Sequence, residues 1–190
     1  MTLYSFVLFV HVTAVLALSA TLSFEALSLF RLRHASSLSE IQRWMDPVPG
    51  LRWIAISSMV LLLVSGIYLA QQISALGMAW PKVTIAALLL IAPFGALTGR
   101  RLRAIRQACA AAKTINSELL GHVRDPILKI SLGIRVGIFL GIVLLMAAKP
   151  QLWMAVGVVA TSVVLGLFFS AMPSRKNATN LPARSTGIGD

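Results

Sequence analysis

The chain has 190 residues, of which 57% are hydrophobic and 12% charged, and its mean hydropathy is +0.84. Such a composition excludes an ordinary water-soluble globular domain and marks a polytopic membrane protein. The formal net charge of +11 does not argue for nucleic acid, because the cations gather in particular connections between apolar runs.

Crossing the hydrocarbon layer takes roughly 20 mostly apolar helical residues. Backbone in lipid must satisfy its own hydrogen bonds, and these runs lack the alternation of barrel strands. The expected fold class is therefore all-α, a polytopic membrane helix bundle with five transmembrane helices. A single transmembrane domain covers residues 1–172, with spans at about 4–30, 51–76, 83–98, 130–148 and 151–172.

The first predicted span contains "HVTAVLALSATLSFE", with His11 and Glu25 inside an apolar run. At about 100° per residue, His11, Ala14, Leu18, Thr21 and Glu25 fall on one side, with Ala17 and Ser28 close by. The opposite side carries Phe9, Val12, Leu16 and Leu27. Small residues admit another helix and charges are costly facing lipid, so the polar side should point into the bundle. His11 and Glu25, 14 residues apart, lie about 21 Å apart along the axis and answer to different partners. "ALSA" at Ala17–Ala20 faintly resembles a leader cleavage region, but no basic segment precedes the run and it continues to Phe30. The segment therefore reads as a span.

In the first connection, Ser37 followed by Glu40 has the pattern of a helix-capping box. Asp46-Pro47-Val48-Pro49-Gly50 should break that short helix, and Trp44 suits headgroup depth. The third span opens on "AWPKV", where Pro81 is tolerated in a first turn. Pro93 lies inside it and should kink the helix, as a packing feature or as a hinge or cavity wall. Beyond it, Leu102, Ile105, Cys109, Ala112, Ile115 and Leu119 keep helical spacing. They form either a surface helix or an extension of the third span. Cys109 is the single cysteine and reads as a small residue on a helix face.

The fourth span contains "GIRVGIFLG". Gly133, Gly137 and Gly141 form a continued G-x-x-x-G stripe, for packing within the chain or for homodimerisation. Arg135 projects about 160° away, at a depth that makes it the candidate partner of Glu25. Arg135 reaching headgroups, and Glu25 meeting Arg31 or water, is the alternative. Residues 173–190 are polar, rich in turn formers and expected to be a disordered cytoplasmic tail.

Arginines and lysines crowd the first and third connections and the tail, whereas the second and fourth carry only Lys82 and Lys149. Cationic loops stay cytoplasmic, so the expected orientation is N-out/C-in. There is no H-E-x-x-H, P-loop, C-x-x-C or carboxylate cluster. Of the repeats and broken helices of transporters only Pro93 gives a hint. His11 is the one histidine in a span: a hydrogen-bonded bundle residue, a haem or copper ligand, or a proton relay. Met78, Met146 and Met154 lie near the outer face.

"FVHVTAVLALSA", "PGLRWIAISSMVLLLVSGIYLA", "WPKVTIAALLL" and "IRVGIFLGIVLLMAAKPQL" together resemble a group of bacterial inner-membrane proteins. The group comprises a predicted integral membrane family of uncharacterised function, the CopD-like copper-resistance domains and the HemJ-type protoporphyrinogen oxidases. The HemJ resemblance implies haem b near His11 and Lys82, which match its first-span histidine and third-span lysine. Its further histidine in the third span has no counterpart in "LLIAPFGALTG". The CopD resemblance implies copper at His11 and outer methionines. The expectation is a multi-pass bacterial inner-membrane protein of unassigned activity, with a haem-dependent redox enzyme and a transport or metal-handling component as alternatives. Its partners would be the lipid bilayer, a second copy or another membrane subunit, and no nucleic acid.

Overall fold

The computed structural model describes residues 2–35, 37–45, 48–111 and 125–171. All regular structure among them is helical: α1 (Leu3–His34), α2 (Leu38–Met45), α3 (Val48–Gln72), a 3₁₀ turn (Ala75–Gly77), α4 (Ala79–Ala111), α5 (Pro126–Ala148) and α6 (Leu152–Ala171). Among the described residues, five helices are long and apolar enough to cross a membrane. The expected tail, and Ala112, Ile115 and Leu119 of the third connection, lie outside the described residues.

Several boundaries differ from expectation, each for a local reason. The second span, expected to reach residue 76, ends as helix at Gln72, because Ser74 adopts a left-handed conformation with φ 52°. The third, expected over 83–98, begins at Ala79 and runs unbroken through Pro93 to Ala111. Arg100 ends the apolar run but not the helix. The fourth begins at Pro126, where the Asp125 side chain accepts from Ile127 N–H at 2.9 Å and proline fits the first turn. The Ser37 hydroxyl accepts from Glu40 N–H at 3.2 Å, starting α2.

At 32 and 33 residues, α1 and α4 are about 48–50 Å long, well beyond the roughly 30 Å hydrocarbon layer. The surplus is used at one end of the bundle. There Leu29, Leu32, Ile41, Met45, Leu102, Ile105, Cys109 and Leu128 form a core from α1, α2, α4 and α5. Ile41 and Met45, four apart on one face of α2, are its deepest contributions from that helix. Asp125 ties the same end together: Arg101 reaches its carboxylate at 3.1 Å, and Arg33 donates to its carbonyl at 3.1 Å.

Within the spans, α1 packs mainly on α3, α5 packs on α4 and α6, and contacts between α1 and α5 and between α3 and α4 are sparser. The bundle thus consists of an α1–α3 pair and an α4–α5–α6 group meeting along a seam. Large apolar side chains cover the outside, including Phe9, Leu16, Leu61, Val64, Leu140 and Phe168. The interior has many small or polar ones, as expected where lipid solvates hydrocarbon as well as a protein core does.

Candidate functional site

The α5–α6 contact shows how a dry seam is built. A Cβ at Gly137 would fall inside van der Waals distance of the Ser162 backbone, and one at Gly133 would meet Ser170 and the Gly166 carbonyl. One at Gly141 would lie 3.2 Å from the Ser162 side chain. The G-x-x-x-G stripe is therefore occupied by α6 of the same chain, leaving no room there for a second copy.

The seam between the α1–α3 pair and the α4–α5–α6 group is different. In α1, His11, Ala14, Leu18, Thr21 and Ser28 are buried, while Phe9, Val12, Leu16 and Leu27 are exposed. The polar face points inward. At the basic end of the seam, Arg135 of α5 donates through Nη2 to Glu25 Oε1 of α1. Arg135 is buried and Glu25 largely so. Gly95 of α4 faces this guanidinium, since a Cβ there would stand 3.8 Å from Nη1. The Arg135 Nε and the Ser28 hydroxyl are buried without a partner.

One turn from Arg135 on α5, Ser131 joins α4. Its hydroxyl lies 2.8 Å from that of Thr98, and both contact the Phe94 carbonyl, at 2.9 and 3.1 Å. Pro93 itself is exposed on the outside of α4, so it is not a wall of the cavity described next.

Toward the opposite end, the seam holds a cavity of about 160 Å³. His11 and Val15 of α1, Gly66 and Ala70 of α3, Trp80, Thr84 and Leu88 of α4, and Phe139 and Met146 of α5 are among the residues around it. Gly66 makes room for the imidazole, because a Cβ there would touch His11 Cε1 at 3.4 Å. His11 Nδ1 lies 2.9 Å from Ser65 Oγ. Trp80 Nε1 and Thr84 Oγ1 are buried with no partner. A mostly apolar cavity with a few convergent polar groups is the usual form of a small-molecule site.

Lys82 is exposed and does not line this cavity. Of Met78, Met146 and Met154, Met146 lines it, whereas Met78 and Met154 are exposed. Cys109 is buried in the core at the basic end. No cluster of three or more histidine, cysteine or acidic residues suited to a metal occurs among the described residues.

The residues present do not fit haem. The cavity has about half the volume of the smallest usual cofactor sites, roughly 300–1,000 Å³. One imidazole borders it, and the lysine that would accompany it points elsewhere.

Ser65, Trp80 and Thr84 are absent from the candidates drawn from sequence. Their signal was depth: Ser65 stands about as far from the C-terminal end of α3 as His11 does from the N-terminal end of α1. No protein-family model matches this chain, and neither a curated protein nor a solved structure matches it.

Proposed function

We propose that this is a multi-pass protein of a bacterial inner membrane, oriented N-out/C-in, that admits a small solute from the outer side into the seam cavity at His11 as a transport component. The observation carrying the reading is the cavity between two separately packed helix groups, bordered by residues whose buried polar atoms have no partner. Intramembrane ionisable residues at such a seam mark substrate or ion pathways. The Glu25–Arg135 pair closes the seam toward the cytoplasm.

The charge distribution supports the orientation. Arg31, Arg33, Arg43, Arg52, Arg100, Arg101, Arg103, Arg106 and Lys129 stand at the end where α1 and α4 finish and α3 and α5 begin, with Lys82 and Lys149 at the other. Cationic segments stay on the cytoplasmic side, so this asymmetry supports a cytoplasmic first end.

A metal-handling variant of the reading, in line with the CopD resemblance, has one observation in its favour: Met146 borders the same cavity as His11. A thioether and an imidazole suit Cu(I).

Substituted-cysteine labelling tests the reading. In a Cys109→Ser background, Thr84→Cys should react with a small membrane-impermeant thiol reagent added outside intact cells, and not in inside-out vesicles. Gln107→Cys, exposed at the basic end, should show the reverse. Thr84→Cys reacting from neither side removes the route to the cavity, and Gln107→Cys reacting from outside inverts the orientation.

A further inference from the structure

The hydrogen bonds around His11 determine what the cavity offers a ligand. The Ser65 hydroxyl donates its proton to the Leu61 carbonyl, and a hydroxyl has one proton. Toward His11, Ser65 Oγ is therefore the acceptor, and His11 Nδ1–H is the donor of the 2.9 Å contact. A neutral imidazole that carries its proton on Nδ1 presents an unprotonated nitrogen at Nε2. His11 Nε2 makes no hydrogen bond among the described residues. Beside this acceptor, two residues that line the cavity carry buried polar atoms with no partner, the donor Trp80 Nε1 and the Thr84 hydroxyl, which does either.

Aliphatic side chains, Phe139 and the Met146 thioether form the remainder of the wall, with no carboxylate or cationic group among the lining residues. A charged ligand would enter without a counter-charge, at high cost inside a membrane. The volume of about 160 Å³ is that of an apolar cavity that holds a single benzene ring, about 150 Å³. Size, neutrality and a paired donor and acceptor select one kind of molecule.

We infer that the seam cavity binds a neutral, single-ring molecule bearing a hydroxyl group, of the phenol class. Its O–H donates to His11 Nε2 and its oxygen accepts from Trp80 Nε1 or Thr84 Oγ1. This ligand assignment rests on the reading of the seam as a solute site.

The test is calorimetric titration of the full chain in mild detergent with phenol, anisole and benzene, which differ in whether they carry a donor, an acceptor only, or neither. Partition into the micelle is measured with protein-free micelles and subtracted, and His11→Leu, which removes the acceptor, should lower phenol to the level of benzene. Phenol should bind saturably and at least about tenfold more tightly than benzene, with anisole nearer benzene because it has no proton for Nε2. Thr84→Val, which keeps the shape of the wall, should reduce the preference for phenol. Equal binding of phenol and benzene would overturn the ligand class and leave the cavity an apolar site. Binding of Cu(I) that depends on His11 and Met146, with no saturable binding of phenol, would overturn it in favour of a metal while leaving the solute site standing. If the aromatics and Cu(I) all fail to bind, the ligand inference and the solute-site reading fall together.

Discussion

Helix α5 meets its neighbours in two opposite ways. Toward α6 it presents Gly133, Gly137 and Gly141, and the backbones come so close that any added Cβ would collide or press hard on Ser162, Gly166 or Ser170. Toward α1 it presents Arg135, whose charge is held by Glu25, and toward the other end the same seam opens into a cavity. Lipid tails are as apolar as leucine, so burial of hydrocarbon cannot drive either contact. The first seam draws on dispersion between close-packed backbones. The second depends on a few polar groups with strict partners. A contact of the first kind has one arrangement; one of the second kind loosens when its partners are released.

The largest effect is expected where the backbone contact is violated. Gly137→Val should destabilise the bundle by about 3 kcal/mol or more, at or beyond the upper range for overpacking, because the atoms in the way belong to the Ser162 and Val163 backbone and cannot rotate aside. Unfolding by denaturing detergent would measure it, and wild-type stability in this variant would refute the packing of α5 on α6.

Breaking the polar seam should cost nearly as much but by a different route. Glu25→Gln leaves the buried Arg135 charge without its carboxylate, which costs about 3 kcal/mol by analogy with other buried pairs. Arg135→Gln should cost a similar amount. The double variant should recover part of the loss, since coupled groups are not additive. Simple additivity would mean that the two residues do not act as a pair. Neither change should disturb α5 against α6, so cross-linking between those two helices should persist.

At the basic end, Asp125 caps α5 and receives Arg33 and Arg101. Asp125→Ala removes the cap and the carboxylate but not the carbonyl that Arg33 uses. A loss of about 1–2 kcal/mol is expected, most of it from the cap, because the Arg101 side of the ion pair is exposed and solvent-screened.

Much of this was legible in the sequence, and the gaps have physical causes. The helices are legible because lipid imposes length and hydropathy on each span. Their ends are less so. Arg100 to Arg106 stop the apolar run while α4 continues to Ala111, since its surplus turns are held by Leu102, Ile105 and Cys109 packing on α1, α2 and α5. Glu25 and Arg135 were matchable by depth alone. The same rule applied to His11 leads to Ser65, but a serine four residues from a carbonyl reads as an ordinary helix residue that bonds its own backbone. Trp80 reads as an interfacial anchor, because nothing local in the sequence shows that its indole nitrogen ends without a partner. The glycine stripe announces a close approach but not to which helix. The partner's face, Ala155, Val159, Ser162, Gly166 and Ser170, has small residues at helical spacing and was the available signal.

The smallest expected effect separates glycines that hold a seam from glycines that do not, and it uses α6 alone. Gly157 and Gly166 are nine residues apart on this helix. A Cβ at Gly157 meets nothing within 4 Å, whereas one at Gly166 would collide with the Gly133 carbonyl. Replacing glycine by alanine inside a helix is worth about 0.5–1 kcal/mol through backbone entropy when space is free. Gly157→Ala should therefore match or exceed wild-type stability by that amount, and Gly166→Ala should lose stability despite gaining the same entropy term. The sign of the difference carries the conclusion. If both alanines stabilise, α6 is not seated on the α5 backbone; opposite signs put Gly166 in the close approach to α5 and Gly157 on the side of α6 turned away from it.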